Sequence, residues 1–211
     1  MPAVPYRSGL AAHSGKAMTQ EEVLAEFRAA GALLEGHFIL SSGLHSPRYL
    51  QCARALMDPS RASRLAAALA ASLPAALRER IGIVVSPAMG GVIIGHEMGR
   101  ALGVEALFVE RPHGAFELRR GFRIEPGQQV LLVEDVVTTG LSSREAIAAV
   151  EAAGGEVIAA AALVDRSGGA AAMGVPFFPL VRLSVPAYEE HALPDELAAI
   201  PAEKPGSRKA A

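Results

Sequence analysis

The chain has 211 residues, 51% of them hydrophobic, and a formal charge of −2 at pH 7. That length suits one sizeable core rather than two domains, and a charge so close to balance speaks against a general nucleic-acid binder. The single cysteine, Cys52, excludes an intrachain disulfide and a cysteine-based zinc site, which fits a reducing cytoplasm.

Residues 1–18 lack an apolar signal core and are expected to form a flexible extension. Thr19, with Glu22 three residues later, sets up a capping box that opens a helix over TQEEVLAEFRAAG, stopped at Gly31. HFILSSGLHSPRYLQ alternates on either side of Ser42 and Gly43 and predicts two short strands joined by a polar turn. Asp58 caps a helix over PSRASRLAAALAASL. Its alanine-rich run, bracketed by Arg64 and Arg78, falls short of the roughly 18 to 20 apolar residues of a membrane span and reads as a buried helix. IGIVVS is a buried strand, GGVIIGHEMGRAL a helix and VEALFVE a second strand. RPHGAFELRRG is a charged connection. QQVLLVED is a third buried strand, SSREAIAAVEAAG a helix ending at Gly154, EVIAAAALVD a fourth strand, and VPFFPLVRLSV supplies one more. Residues 201–211, PAEKPGSRKAA, are expected to be a flexible tail, leaving 19–200 as a single domain.

Short apolar strands alternating with longer helices predict a parallel sheet with helices on both faces. Ligands of such sheets bind beyond the carboxyl ends of the strands, where loops enter helices. Three loops with unusual chemistry fall there: SPAMGG, ERPHG and EDVVTTG.

The third is the most informative. In VLLVEDVVTTGLSS, Glu134 and Asp135 close a strand, and Thr138 to Ser142 make the turn into the next helix. A helix start offers unpaired amides and the positive end of its dipole, which suits a phosphate. Gly140 permits close backbone approach, while Thr138, Thr139 and Ser142 add hydroxyl donors. Two acids beside a phosphate would repel it unless a ribose lies between, its hydroxyls donating to the carboxylates and its 5′-phosphate resting on the amides. Taken singly, each feature is equally an ordinary strand, acidic loop and helix cap. Other phosphate motifs do not fit: Gly90 and Gly95 have P-loop spacing, but His96 follows where a lysine belongs.

The whole pattern over 130–142 resembles the 5-phosphoribosyl 1-diphosphate (PRPP) binding motif of the type I phosphoribosyltransferases. The resemblance implies that family's fold, a twisted parallel sheet flanked by helices with a small N-terminal hood at about 19–56. It also implies a PRPP site made of Glu134, Asp135, Val136, Val137, Thr138, Thr139, Gly140, Leu141 and Ser142. In SPAMGGVIIG, Gly90 and Gly91 would form the diphosphate loop, although close helix–sheet packing explains them equally well.

The hood narrows the acceptor. Phe38, Leu40, Ser42, Gly43 and Ser46 resemble the F-x-L-x-S-G-x-x-S segment of the orotate phosphoribosyltransferases, and VDRSGG resembles their D-R segment. This implies orotate contacts from Thr138, Arg166, Ser41, Ser42 and Gly43, an arginine there suiting a carboxylate-bearing pyrimidine. It further implies conversion of orotate and PRPP to orotidine 5′-monophosphate and diphosphate in pyrimidine biosynthesis. Mg²⁺ would be held mainly through diphosphate and water, with Glu134 and Asp135 steadying the developing ribosyl charge. A homodimer is implied in which a lid loop acts across the interface.

Two departures stand out. Ser41 replaces a lysine common in the hood, and the lid between Glu110 and Glu125 has no lysine, only Arg111, Arg119, Arg120 and Arg123 with His113. Arg111 corresponds to the family's loop arginine; Arg119 or Arg120 is expected to supply the missing catalytic charge. A purine-accepting relative would share the cradle, but not this hood or Arg166. A non-catalytic PRPP sensor would need a DNA-binding module, for which the segment before the hood is too short and too weakly basic.

Overall fold

The structure is a computed structural model and describes residues 17–40 and 42–205. Helix α1 (Gln20–Ala29) opens on the expected capping box: Thr19 accepts from the Glu22 amide, and Glu22 accepts from the Thr19 amide at 2.7 Å. Its buried face is Val23, Leu24 and Phe27, one stripe at helical spacing. The hood strands β1 (Leu33–Ile39) and β2 (His45–Leu50) pair antiparallel as a separate two-stranded sheet. β1 starts before the expected His37 because its register shifts between Glu35 and Phe38. A bulge breaks the alternation that would have announced the strand.

Two short helices, α2 (Cys52–Leu56) and α4 (Ala75–Arg78), flank α3 (Pro59–Ser72), whose first turn is capped by Asp58 on the amides of Ser60 and Arg61. Then follow β3 (Ile83–Pro87), α5 (Gly91–Leu102), β4 (Glu105–Glu110) and a two-residue strand β5 (Glu117–Leu118) inside the charged connection. The chain continues through β6 (Gln129–Val137), α6 (Leu141–Ala152), β7 (Glu156–Asp165), β8 (Phe177–Arg182) and a short α7 (Asp195–Ala198).

The main sheet runs β5-β4-β3-β6-β7-β8, parallel throughout except for the β4–β5 hairpin. Alternation divides its side chains between two cores. Leu131, Val133, Ala161 and Leu163 meet Phe27, Leu65, Leu69, Ile94 and Met98 on one face, and Val130, Leu132, Ala160 and Ala162 meet Ala146, Ile147 and Val150 on the other. The sheet thus carries helices on both faces, with β6 near its centre. Among the described residues no helix is long and apolar enough to cross a membrane.

After β8 the chain returns over the hood. Tyr188 pairs with His45, and Glu203 bonds through its backbone to His37 and Ile39. The expected tail boundary at 201 therefore falls too early, since residue 203 is held against β1; residues 1–16 and 206–211 of the expected extension and tail lie outside the described residues. Beneath this strap His37 and His45 are buried with ring nitrogens 2.6 Å apart, and His37 Nδ1 lies 2.8 Å from the Ile200 carbonyl oxygen.

Candidate active site

Strand β6 does not stop at its acids. It continues through Val137, so Glu134 and Asp135 sit inside the strand and their side chains leave from opposite faces. Glu134 is buried toward α6 and accepts a hydrogen bond from Ser143 Oγ at 3.3 Å. Burial, and then the neighbouring Asp135 charge, push its carboxyl up to about 8. Asp135 lies on the other face beneath the loop that opens α5: a Cβ added to Gly90 would stand 2.7 Å from Asp135 Oδ1. Burial raises the Asp135 carboxyl as well.

Beyond the strand, Thr138 and Thr139 are exposed and Gly140 adopts φ +73°, a left-handed turn that L side chains resist. Thr139 Oγ1 accepts from the Leu141 amide at 3.3 Å, and Arg144 fastens the turn from outside by donating to the carbonyls of Thr139 and Ala172 at 3.2 and 2.9 Å. Glu134, the residues from Val136 to Ser143, Arg111 and Glu145 enclose a cavity of about 290 Å³. Larger clefts of about 670 and 620 Å³ open beside α1–α3 and α5–β4. Of the three, the smaller cavity is the one where hydroxyls, helix-start amides, a buried acid and an arginine converge, which makes it the candidate site.

The two diphosphate-loop candidates, Gly90 and Gly91, have different surroundings. Gly91 packs closely, a Cβ there lying 3.0 Å from the Val133 carbonyl oxygen and 3.1 Å from Ser86 Cβ, and Gly95 would press on Ser86 Oγ. Gly90 instead stands against the Asp135 carboxylate. Helix packing explains Gly91, and access to an acid explains Gly90.

Arg111 follows β4 directly and reaches the cavity. It donates to the Gly114 carbonyl at 3.1 Å, pairs with Glu145 and lies 3.9 Å from the centre of the Phe116 ring. Arg119 and Arg120 do not line the cavity. Arg120 makes a two-pronged bond to Glu110 at 2.9 and 2.7 Å, and this partner holds the Glu110 carboxyl below its usual value.

Arg166 begins the loop after β7, where its amide donates to the Val137 carbonyl at 2.8 Å. Its Nε is buried without a hydrogen-bond partner among the described residues. Cys52 Sγ donates to the Asp135 carbonyl at 3.6 Å, and the Arg166 charge reaches this thiol, though burial dominates and raises its pKa. Ser42 and Gly43 are exposed at the hood turn, with Leu44 N bonded to Ser42 Oγ and Gly43 N to the Leu40 carbonyl. Ser41 lies outside the described residues. The bond from Ser143 to Glu134 and the places of Arg144, Glu145 and Phe116 at the site were not anticipated. Ser143, Arg144 and Glu145 directly follow the cradle motif, at positions where a helix returns side chains to its own first turns.

Residues 55–173 match the phosphoribosyl transferase domain family. The chain is 75% identical over 193 residues to an orotate phosphoribosyltransferase of Rhizorhabdus wittichii, covering 92% of this chain and 98% of that one. It is 74% identical to the enzyme of the same description from Novosphingobium aromaticivorans, covering 90% and 98%. Among solved structures it resembles the orotate phosphoribosyltransferase of Aeropyrum pernix, with a TM-score of 0.65 and 29% identity over 76% of this chain and 93% of that one.

Proposed function

We infer the chemistry of this site from one premise: the chain belongs to the orotate phosphoribosyltransferases of the phosphoribosyl transferase domain family, and transfers the 5-phosphoribosyl group of PRPP to orotate. The products are orotidine 5′-monophosphate and diphosphate, and the step belongs to the route to UMP. The observation that carries the assignment of the site is the single cavity in which the Thr138–Gly140 turn, buried Glu134 and Arg111 meet.

In the proposed mechanism a ring nitrogen of orotate gives up its proton to the departing diphosphate and bonds to the anomeric carbon as the carbon–oxygen bond to diphosphate breaks, the transition state having oxocarbenium character. The first amides of α6 and the hydroxyls of Thr138, Thr139 and Ser142 hold the 5′-phosphate. Glu134 and Asp135, on opposite faces of one strand, orient the ribose and steady positive charge as it develops. Glu134 is mostly protonated near neutral pH in the ligand-free site; an approaching positive charge favours its ionised form. Arg111 and the loop at Gly90 and Gly91 bind the diphosphate. Arg166, with its unpartnered Nε, meets the orotate carboxylate beside Thr138, Ser42 and Gly43.

Among the described residues no three His, Cys, Asp or Glu side chains gather into a metal cluster. Mg²⁺ would be held mainly through diphosphate oxygens and water, an arrangement that would suit an ion that keeps its waters. When bound, it neutralises charge on the departing diphosphate. The reading also takes the enzyme to be a cytoplasmic homodimer whose loop around residues 111–123 closes over the partner's site. Closure would bring Arg119 or Arg120 to the diphosphate, and Arg120 would first have to leave Glu110.

The reading is tested by following orotate absorbance with purified protein, PRPP and Mg²⁺, with hypoxanthine and uracil as alternative acceptors. Orotate loss that needs both PRPP and Mg²⁺ supports it. Tight PRPP binding without turnover would overturn it in favour of a sensor.

A further inference from the structure

Resting on the reading of Arg111 as a PRPP contact, we propose that Glu145 is the positioning residue for Arg111: it couples the guanidinium of the hairpin to the helix whose first turn forms the phosphate cradle. Arg111 leaves β4 at the start of an exposed connection, where a long side chain would sample many rotamers. Here it is held at three points. Gly114 accepts one N–H, the buried Phe116 ring supports the guanidinium face, and Glu145 accepts another N–H. An arginine has five N–H groups, so three remain for a phosphate.

The location of Glu145 gives the contact its meaning. It lies four residues after Leu141, the first residue of α6, so its side chain leans back over the turn that begins the helix. Arg111 and Glu145 both line the cradle cavity. One ion pair therefore sets the distance between the positive charge on the hairpin and the amides on the helix, both of which must meet one PRPP molecule. Gly114 and Phe116 belong to the hairpin itself and can only orient Arg111 within it.

An exposed ion pair that served stability alone would matter little, and this one is open to water, with side chains 34% and 42% exposed. Glu145 should therefore act on PRPP affinity and leave melting unchanged. A contrary role is also chemically plain: a carboxylate at a phosphate site could simply repel the ligand, and its removal would then tighten binding.

The test is a double-mutant cycle on the full chain, using Glu145→Ala, Arg111→Ala and the pair, with Glu145→Gln as the conservative variant. PRPP dissociation constants in the presence of Mg²⁺ would be read by calorimetry, alongside KM for each substrate, kcat and Tm. Glu145→Ala is expected to weaken PRPP binding about tenfold, within the coupling range of contacting residues, while the orotate KM and the Tm hold. Glu145→Gln should fall between, and Glu145→Ala should add nothing once Arg111 is alanine. Tighter binding in Glu145→Ala, or an equal loss in both backgrounds, overturns the proposal. Unchanged PRPP affinity in Arg111→Ala removes Arg111 from the site and the proposal with it. Because calorimetry does not need turnover, a failure of the enzymatic reading would show separately, as binding without orotate consumption.

Discussion

The β6–α6 turn and the β4–β5 hairpin both send charge toward one cavity, yet different forces hold them. The turn is anchored in the cores: Val133 and Val137 are buried below it, Ala146 and Ile147 behind it, and Gly140 takes a conformation that sequence chemistry fixes. The hairpin buries one ring, Phe116, and is otherwise two strand residues, an Arg120–Glu110 pair open to water and the edge-to-face rings of Phe108 and Phe122, 5.3 Å apart. Burial makes the turn stiff at all times, whereas water-exposed ion pairs are weak enough to be exchanged for a ligand. A transferase that must form a phosphate site before binding and exclude water afterwards has use for both kinds of element.

The largest effect should come from the stiff element. Gly140→Val forces a β-branched residue to φ +73° and places a side chain where a Cβ already meets Arg144 at 3.3 Å and Ala171 at 3.4 Å. The backbone term alone is about 1 to 2 kcal/mol, so Tm should fall by roughly 2 to 8 °C. Displacing the cradle by on the order of 1 Å should reduce kcat/KM for PRPP by about a hundredfold. Stability and turnover should fall together; loss of neither would show the turn to be as pliable as the hairpin.

In the hairpin the two quantities should separate. The double variant Arg119→Ala/Arg120→Ala removes exposed cations, one of them bound to Glu110, and should leave Tm within about 2 °C. If these arginines supply the charge that the lysine-free lid needs, kcat should drop on the order of tenfold to a hundredfold. Full turnover would end that idea and leave Arg111 as the hairpin's contribution.

The same contrast explains what the sequence disclosed. The capping box at Thr19, the Asp58 cap and the alternation of apolar strands with helices are local patterns, and the structure contains each of them. The candidate cradle stood out in the sequence because its turn, its glycine and its acids are consecutive. Contacts made across the fold were not legible. Arg111 meets Glu145 over 34 residues, and His37 meets Ile200 over 163. The bulge near Gly36 hid the start of β1, and α2 and α4 are too short to show a periodic face. Adjacency in sequence also misled over the acids: in a strand it sends neighbouring side chains apart, so Glu134 and Asp135 approach any shared ligand from two sides.

That separation gives the last prediction, which compares two acids rather than two loops. Burial pushes the Glu134 carboxyl up to about 8 in the fold against an ordinary 4.5, while half-buried Glu110 is shifted the other way by Arg120. Below pH 4.5 Glu134 is protonated in both the folded and unfolded chain and does not affect their balance. Between 4.5 and 8 the unfolded chain gives up this proton and the folded chain keeps it, so stability falls as pH rises through that window and levels off above it. Glu134→Gln removes the titration, so its Tm should decline less than that of the parent between pH 5 and pH 8. Over roughly 2.5 pKa units between those pH values, at about 1.4 kcal/mol per unit and 2 to 4 °C per kcal/mol, the difference should be on the order of 10 °C. Glu110→Gln probes the opposite sign. A lowered carboxyl stabilises above its ordinary pKa and loses that contribution as pH falls through the lowered value, and a pair this open to water leaves little to lose. Its melting curve should therefore follow the parent's from pH 5 to pH 8. If the Glu134→Gln curve follows it as well, Glu134 is ionised in the ligand-free site, and the turn is less closed to water than its packing requires.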